Sequence, residues 1–209
     1  FEALIVEASK RGNATFRGLL SGSPEVVGGS ASYHPTEHKV GLVWREGVLN
    51  DVSAEIILAN HDYVFGGRPP LKVEATATID GVSVPLTIVV LHMKAFADQS
   101  SYQRRREAGI ALKRWLDALP PEREVIVLGD WNDDLDASIL VPYDTPFREL
   151  VDSSRYVFVT EVFTLNDLST HVSYPTPIDH QLVTASLASR HVAGSTTVDL
   201  TCEPLGNDR

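Results

Sequence analysis

A single cysteine, Cys202, and a single methionine, Met93, occur among 209 residues. One cysteine excludes an internal disulfide framework and any zinc site built on paired thiolates. Long apolar runs are also missing, because every hydrophobic stretch is interrupted within a few residues, so no segment has the length to span a bilayer. The opening "FEALIVEASKRGN" has no basic stretch followed by an apolar one and so does not read as a signal peptide. Basic excess is absent too: 18 Lys and Arg stand against 28 Asp and Glu, a formal net charge of −10. A protein that neutralises many phosphates usually carries a basic footprint, so tight non-specific DNA binding is disfavoured. A metal-dependent enzyme is not, since clustered carboxylates are neutralised locally by a divalent ion.

What is present is a core. Hydrophobic residues make up 43% of the chain, enough for one large α/β or all-β domain. Residues 1–12 fit a short helix with Leu4, Ile5 and Ala8 on one face, and residues 18–37 read mainly as loop. Strands are expected at 38–46, 52–58, 70–79 and 82–93. In the third, Val73, Ala75, Ala77 and Ile79 alternate with polar neighbours, and Asp80–Gly81 supplies a hairpin turn. Residues 98–118 form the clearest helix. Ala108, Leu112, Trp115 and Leu119 recur on one face, with Arg104, Arg105, Lys113 and Arg114 on the others, and Pro120–Pro121 stops it. "EVIVLGD" then reads as a strand buried on both faces, and 156–164 and 178–184 complete the strands. With no repeat and no linker, residues 1–209 are expected to form one domain, an α+β layered sandwich.

The chemistry sits at strand ends. His92 follows "TIVVL", Asp130 and Asn132 follow "VIVLG", and Asp179–His180 open "IDHQLV". Side chains presented where buried strands emerge can share one cleft. Two aspartates and an amide are hard oxygen donors, which suit Mg²⁺ or Mn²⁺, and a nearby histidine can act as acid or base. Arg68 and Lys94 could offer positive charge to a phosphate. Each feature alone has a plainer explanation: a turn aspartate, a satisfied histidine, a surface arginine. Asp133, Asp134 and Asp136 read as a solvated acidic loop, and His34, His38, His61, His171 and His191 lack ligand spacing.

In combination the stretches "HKVGLVWR", "RPPLKVEA", "VVLHMKA", "VIVLGDWNDD" and "PIDHQLVT" resemble, in order, the endonuclease/exonuclease/phosphatase superfamily. That group contains pancreatic-type deoxyribonuclease, apurinic endonucleases, sphingomyelinases and inositol-phosphate 5-phosphatases. The resemblance implies a four-layer αββα sandwich and Mg²⁺- or Mn²⁺-dependent hydrolysis of phosphodiester bonds. It places His92, Asp130, Asn132 and Asp179 as catalytic residues. Asp130 and Asn132 would face metal or phosphate, Asp179 would orient a histidine elsewhere, and Arg68 would touch the phosphate or brace the site. A nucleic acid substrate is the leading expectation, in an extracellular-type branch suggested by "LASRHVAGS". A phosphomonoesterase, a phospholipid phosphodiesterase and a non-catalytic binding module are the alternatives.

Two family elements do not appear. The strand ending Gln-Glu, which carries the principal metal ligand, has no counterpart unless "ALIVEA" is a strand and Glu7 the ligand. The closing Ser-Asp-His-x-Pro-Val has none either, and His180 does not replace it. The sequence therefore reads as the central piece of a nuclease-like domain with its terminal strands missing. Weak Mg²⁺ binding and little activity are expected of these 209 residues.

Overall fold

The computed structural model describes residues 1–34, 36–171 and 174–198. In chain order it contains α1 (Glu2–Arg11), β1 (Phe16–Leu20), β2 (Val26–Val27), α2 (Gly29–Ser32), β3 (Gly41–Arg45) and β4 (Leu49–Ile56). There follow β5 (Leu71–Ile79), β6 (Val82–His92), α3 (Gln99–Asp117), β7 (Val125–Asp130) and α4 (Arg148–Val151). β8 (Tyr156–Phe158), α5 (Glu161–Leu165), β9 (Asp179–Thr184) and α6 (Ala185–Ala188) complete the described elements.

Seven strands form one mixed sheet in the order β2-β4-β5-β6-β7-β9-β8, and β1 pairs with β3 in a second sheet. The period-2 pattern of 70–79 is realised: β5 runs antiparallel to β6 across the Asp80–Gly81 turn, where both residues have positive φ. β6 and β7 are parallel, and α3 makes the crossover that parallel neighbours require.

Alternation along β6 and β7 divides the interior in two. Val89, Leu91, Met93, Val125 and Val127 face α3 and α4, where they pack on Ala108, Leu112, Leu116, Phe147 and Leu150. Ile88 and Val90 face the other way, with Leu71 and Val73 of β5, and meet Leu19 and Leu42 of the small sheet. Phe1 and Ile5 of α1 then lie over Gly18 on the outer face of that sheet. The layers therefore run α1, small sheet, large sheet, α3/α4, the expected αββα sandwich with two strands in its outer sheet among the described residues. Beyond the small sheet, Ala77, Ile79, Val84, Ile126 and Val183 floor an apolar groove of about 470 Å³.

Several local expectations change. Residues 18–37 are mainly loop but also hold the end of β1, the two residues of β2 and the four of α2, short elements without a period of their own. β7 is not buried on both faces, because Ile126 and Leu128 border the partly open inter-sheet side. Residues 156–164 are a three-residue strand followed by a helical turn. Arg105 does not populate an exposed face of α3. It is fully buried, because its guanidinium pairs with Asp133 beneath the site loops. No helix of the described residues is long and apolar enough to cross a membrane.

Candidate active site

Three adjacent strands deliver the candidate residues to one level. In the parallel β6/β7 pair His92 stands opposite Asp130, and in the antiparallel β7/β9 pair Asp130 stands opposite Asp179. All three occupy the inter-sheet face of their strands, in step with Val90, Leu128 and Gln181. The His92 Nε2–Asp130 Oδ2 distance is 3.4 Å.

Gly129 is what brings β7 this close to β6. It holds φ +137, and a Cβ there would lie 2.0 Å from the Leu91 carbonyl oxygen. Only glycine fits so tight an approach. After Asp130 the chain turns: Trp131 N–H and Asn132 N–H both donate to the Ile178 carbonyl, and Asn132 has φ +55. Trp131 is fully buried on the α3 side, edge-on to Phe147 and Phe158, with its indole N–H bonded to the His180 carbonyl. Asn132 N–H also donates to Asp130 Oδ1 at 2.9 Å, and its amide Nδ2 donates to the Met93 carbonyl at 3.1 Å. Asn132 thus orients the Asp130 carboxylate and ties the end of β7 to the residue after β6.

Asp133 and Asp134 are not a solvated loop; both are buried. Asp133 accepts from Arg105 Nε, Ser138 Oγ and Ile139 N–H, while Asp134 accepts from Thr164 Oγ1 and Leu135 N–H. Arg105 Nη1 donates to the carbonyls of Lys94 and Phe96, so one buried ion pair braces the loops after β6 and β7 together. Arg68 donates to the carbonyls of His92 and Met93 and carries its charge behind the same strand ends. The Lys94 ammonium lies 4.4 Å from the centre of the Phe96 ring.

Burial sets the protonation states. It pushes the Asp130 carboxyl up to about 6, with the Asp179 charge adding to the rise and the Asn132 hydrogen bond opposing it. Asp179 is raised by burial as well, although a hydrogen bond from Thr170 lowers it. Burial, then Arg68 and His38, push His92 down to about 4. At neutral pH the centre therefore holds an uncharged imidazole beside two carboxylates, one of which has a markedly raised proton affinity. His180 is a buried structural residue, held down to about 4 mainly by burial, with Nε2 3.2 Å from the Asp133 carbonyl.

His38 joins the site unannounced: its ring stacks on that of His92, centroids 6.3 Å apart and planes 18° from parallel. No spacing in the sequence signals this, because a different segment brings it there. Glu7 does not join. It lies on α1 and pairs with Arg11, so the alternative strand reading of "ALIVEA" fails.

No family model matches this chain, and no curated protein matches it. Solved structures do. The human Nocturnin catalytic domain with bound sulfate anion superposes with a TM-score of 0.54 at 15% identity, over 88% of this chain and 65% of that one. An endonuclease/exonuclease/phosphatase from Beutenbergia cavernae gives 0.56 at 12%, over 88% and 50%. The chain has the endonuclease/exonuclease/phosphatase fold. A humanized D. rerio TDP2 matches this fold as well, with a TM-score of 0.50 at 14% identity over 93% of this chain and 66% of its own. The chain spans half to two thirds of the length of these structures.

Proposed function

We propose that this chain is a phosphodiester hydrolase with nucleic acid as its substrate class, and that His92, Asp130 and Asp179 form its reacting centre. The observation that carries this reading is register. One imidazole and two carboxylates end three neighbouring strands at a single level, with the Arg68 charge behind them.

In this reading His92, neutral above about pH 4, takes the proton of the attacking water through its ring. Asp130 acts in its ionised form, and Asn132 fixes its Oδ1 so that Oδ2 faces the cleft beside His92. Arg68 supplies fixed positive charge toward the phosphate oxygens, a preorganised form of stabilisation. Asp130 and Asp179 fit a Mg²⁺ or Mn²⁺ ion, because a divalent charge relieves two facing carboxylates and such ions commonly take one or two carboxylates plus water and substrate phosphate. When bound, the ion would polarise the phosphoryl group as a Lewis acid. Among the described residues no group of three or more His, Cys, Asp or Glu side chains is placed to hold a metal.

The test is hydrolysis of bis(p-nitrophenyl) phosphate and p-nitrophenyl phosphate at high Mg²⁺ by wild type and His92→Gln. Faster wild-type turnover of the diester, reduced in the variant, supports the reading. Preference for the monoester would overturn it in favour of a phosphomonoesterase.

A further inference from the structure

Arg68, Lys94 and Arg104 come from the loop before β5, the loop after β6 and helix α3, yet they gather around Gly66. A Cβ on Gly66 would lie 3.4 Å from Arg68 Nη2, 3.6 Å from Lys94 Cδ and 3.8 Å from Arg104 Nη2. None of the three makes an ion pair with a carboxylate among the described residues. Their acidic neighbours act at longer range: Asp130 and Glu37 on Arg68, and Asp98 on Lys94. Burial and Arg104 lower the Lys94 ammonium, Asp98 partly offsets them, and Arg68 and Arg105 lower it further. In a chain of net charge −10 such a cluster is an exception, even with Arg68 and Arg104 donating to backbone carbonyls.

Two rings flank this cluster of cations. Tyr63 is 69% exposed and Phe96 is 62% exposed, although aromatic side chains normally gain by burial. Arg104 lies over the Tyr63 ring at 4.3 Å and Lys94 over the Phe96 ring at 4.4 Å, so a cation already covers part of each. Phe96 also holds φ +85, a conformation that bulky side chains rarely adopt, and Arg105 fixes it through the Phe96 carbonyl. Packing does not account for a strained, outward-facing phenylalanine. A stacking partner does.

We propose that the cation cluster around Gly66 is a second phosphate subsite, and that Tyr63 and Phe96 are shelves for the bases of a single-stranded polynucleotide. Cations interleaved with exposed rings are the means by which proteins hold single strands, whose unpaired bases have free faces. In a duplex the same faces are stacked. The proposal rests on the reading of Asp130 as a phosphodiester site, to which Arg68 connects the cluster.

The test is fluorescence anisotropy with a fluorescein-labelled oligothymidylate of about eight nucleotides, within the span one such surface covers. The wild-type chain, Tyr63→Ala, Arg104→Gln and Arg104→Lys are compared, with a duplex of equal length as the second probe. The wild type should prefer the single strand. Tyr63→Ala and Arg104→Gln should each weaken binding by about 5–10-fold, in the range of one lost stack or charge contact. Arg104→Lys should retain most of it, and Arg104→Gln should flatten the slope of log K against log salt by about one. Unchanged binding in Tyr63→Ala and Arg104→Gln, or a preference for duplex, would overturn the proposal. Wild-type hydrolysis of the small diester is measured alongside. Variant-sensitive binding without that hydrolysis would sink the catalytic reading and leave the subsite standing, and hydrolysis with variant-insensitive binding would do the reverse.

Discussion

Asp130 and Asp179 stand directly opposite each other on antiparallel strands, two carboxylates held on one face by the register of β7 and β9. Like charges directly opposite in a sheet repel. The repulsion adds to burial in raising the Asp130 carboxyl to about 6. A fold gains nothing from such a pair, so the pair is the best sign that the location serves chemistry.

The first prediction follows from that cost. A carboxyl whose folded value is raised contributes stability that is present below its unfolded value near 4 and is lost as pH rises through about 6. Removing the charge should therefore help at neutral pH. Asp130→Asn is expected to stabilise the chain by about 1–2 kcal/mol at pH 7.5, discounted for the partial exposure of the group. The gain should fade toward pH 4. Urea denaturation at both pH values measures it, and a destabilised variant at pH 7.5 would contradict the account.

His92 and His180 carry the opposite sign. Their folded values are depressed to about 4, so each contributes stability that is present above the unfolded value near 6.5 and is lost as pH falls through about 4. The ring of His92 is expected to remain neutral at pH 5.5 in a long-range ¹H–¹⁵N NMR spectrum. Hydrolysis should show no acid loss from His92 until the pH falls to about 4.

The buried Arg105–Asp133 pair joins α3 to both site loops, and neither side chain has any exposure. Breaking one half of such a pair leaves an unpaired buried charge. Arg105→Ala should cost about 3–5 kcal/mol. The double replacement Arg105→Met/Asp133→Leu should recover a substantial part of that stability but not activity, because the carbonyls of Lys94 and Phe96 lose their donor. Thermal melts and diester hydrolysis of the two variants separate the effects.

Gly129→Ala tests the close approach of β6 and β7. The added methyl carbon would lie 2.0 Å from the Leu91 oxygen, so the strands must part. A loss of about 3 kcal/mol or more is expected, above the usual cost of a point substitution. Hydrogen exchange should show the weakening at the strand ends that hold His92 and Asp130.

Much of this was visible in the residues, and the exceptions are instructive. Alternation in β5 and the periodicity of α3 are local properties, so both could be read directly. Strand ends bearing His92, Asp130 and Asp179 could be read as well, because a polar residue that closes or opens an apolar run is conspicuous. The burial of Asp133 and Arg105 could not, because each looks like a surface charge until its partner, 28 positions away, is known. His38 lies 54 positions before His92 and meets it only through the packing of the two sheets. Short β1 and β2 escaped for a related reason: strands of five and two residues are too short to show a period, and their pairing partners define them.

The most direct test of the central claim is nicking of supercoiled plasmid at high Mg²⁺ by the wild-type chain and by Asp130→Ala at equal concentration. The account predicts slow nicking by the wild type that disappears in the variant, while circular dichroism shows the variant folded. Equal nicking by the two proteins would remove Asp130 from the chemistry and contradict the account.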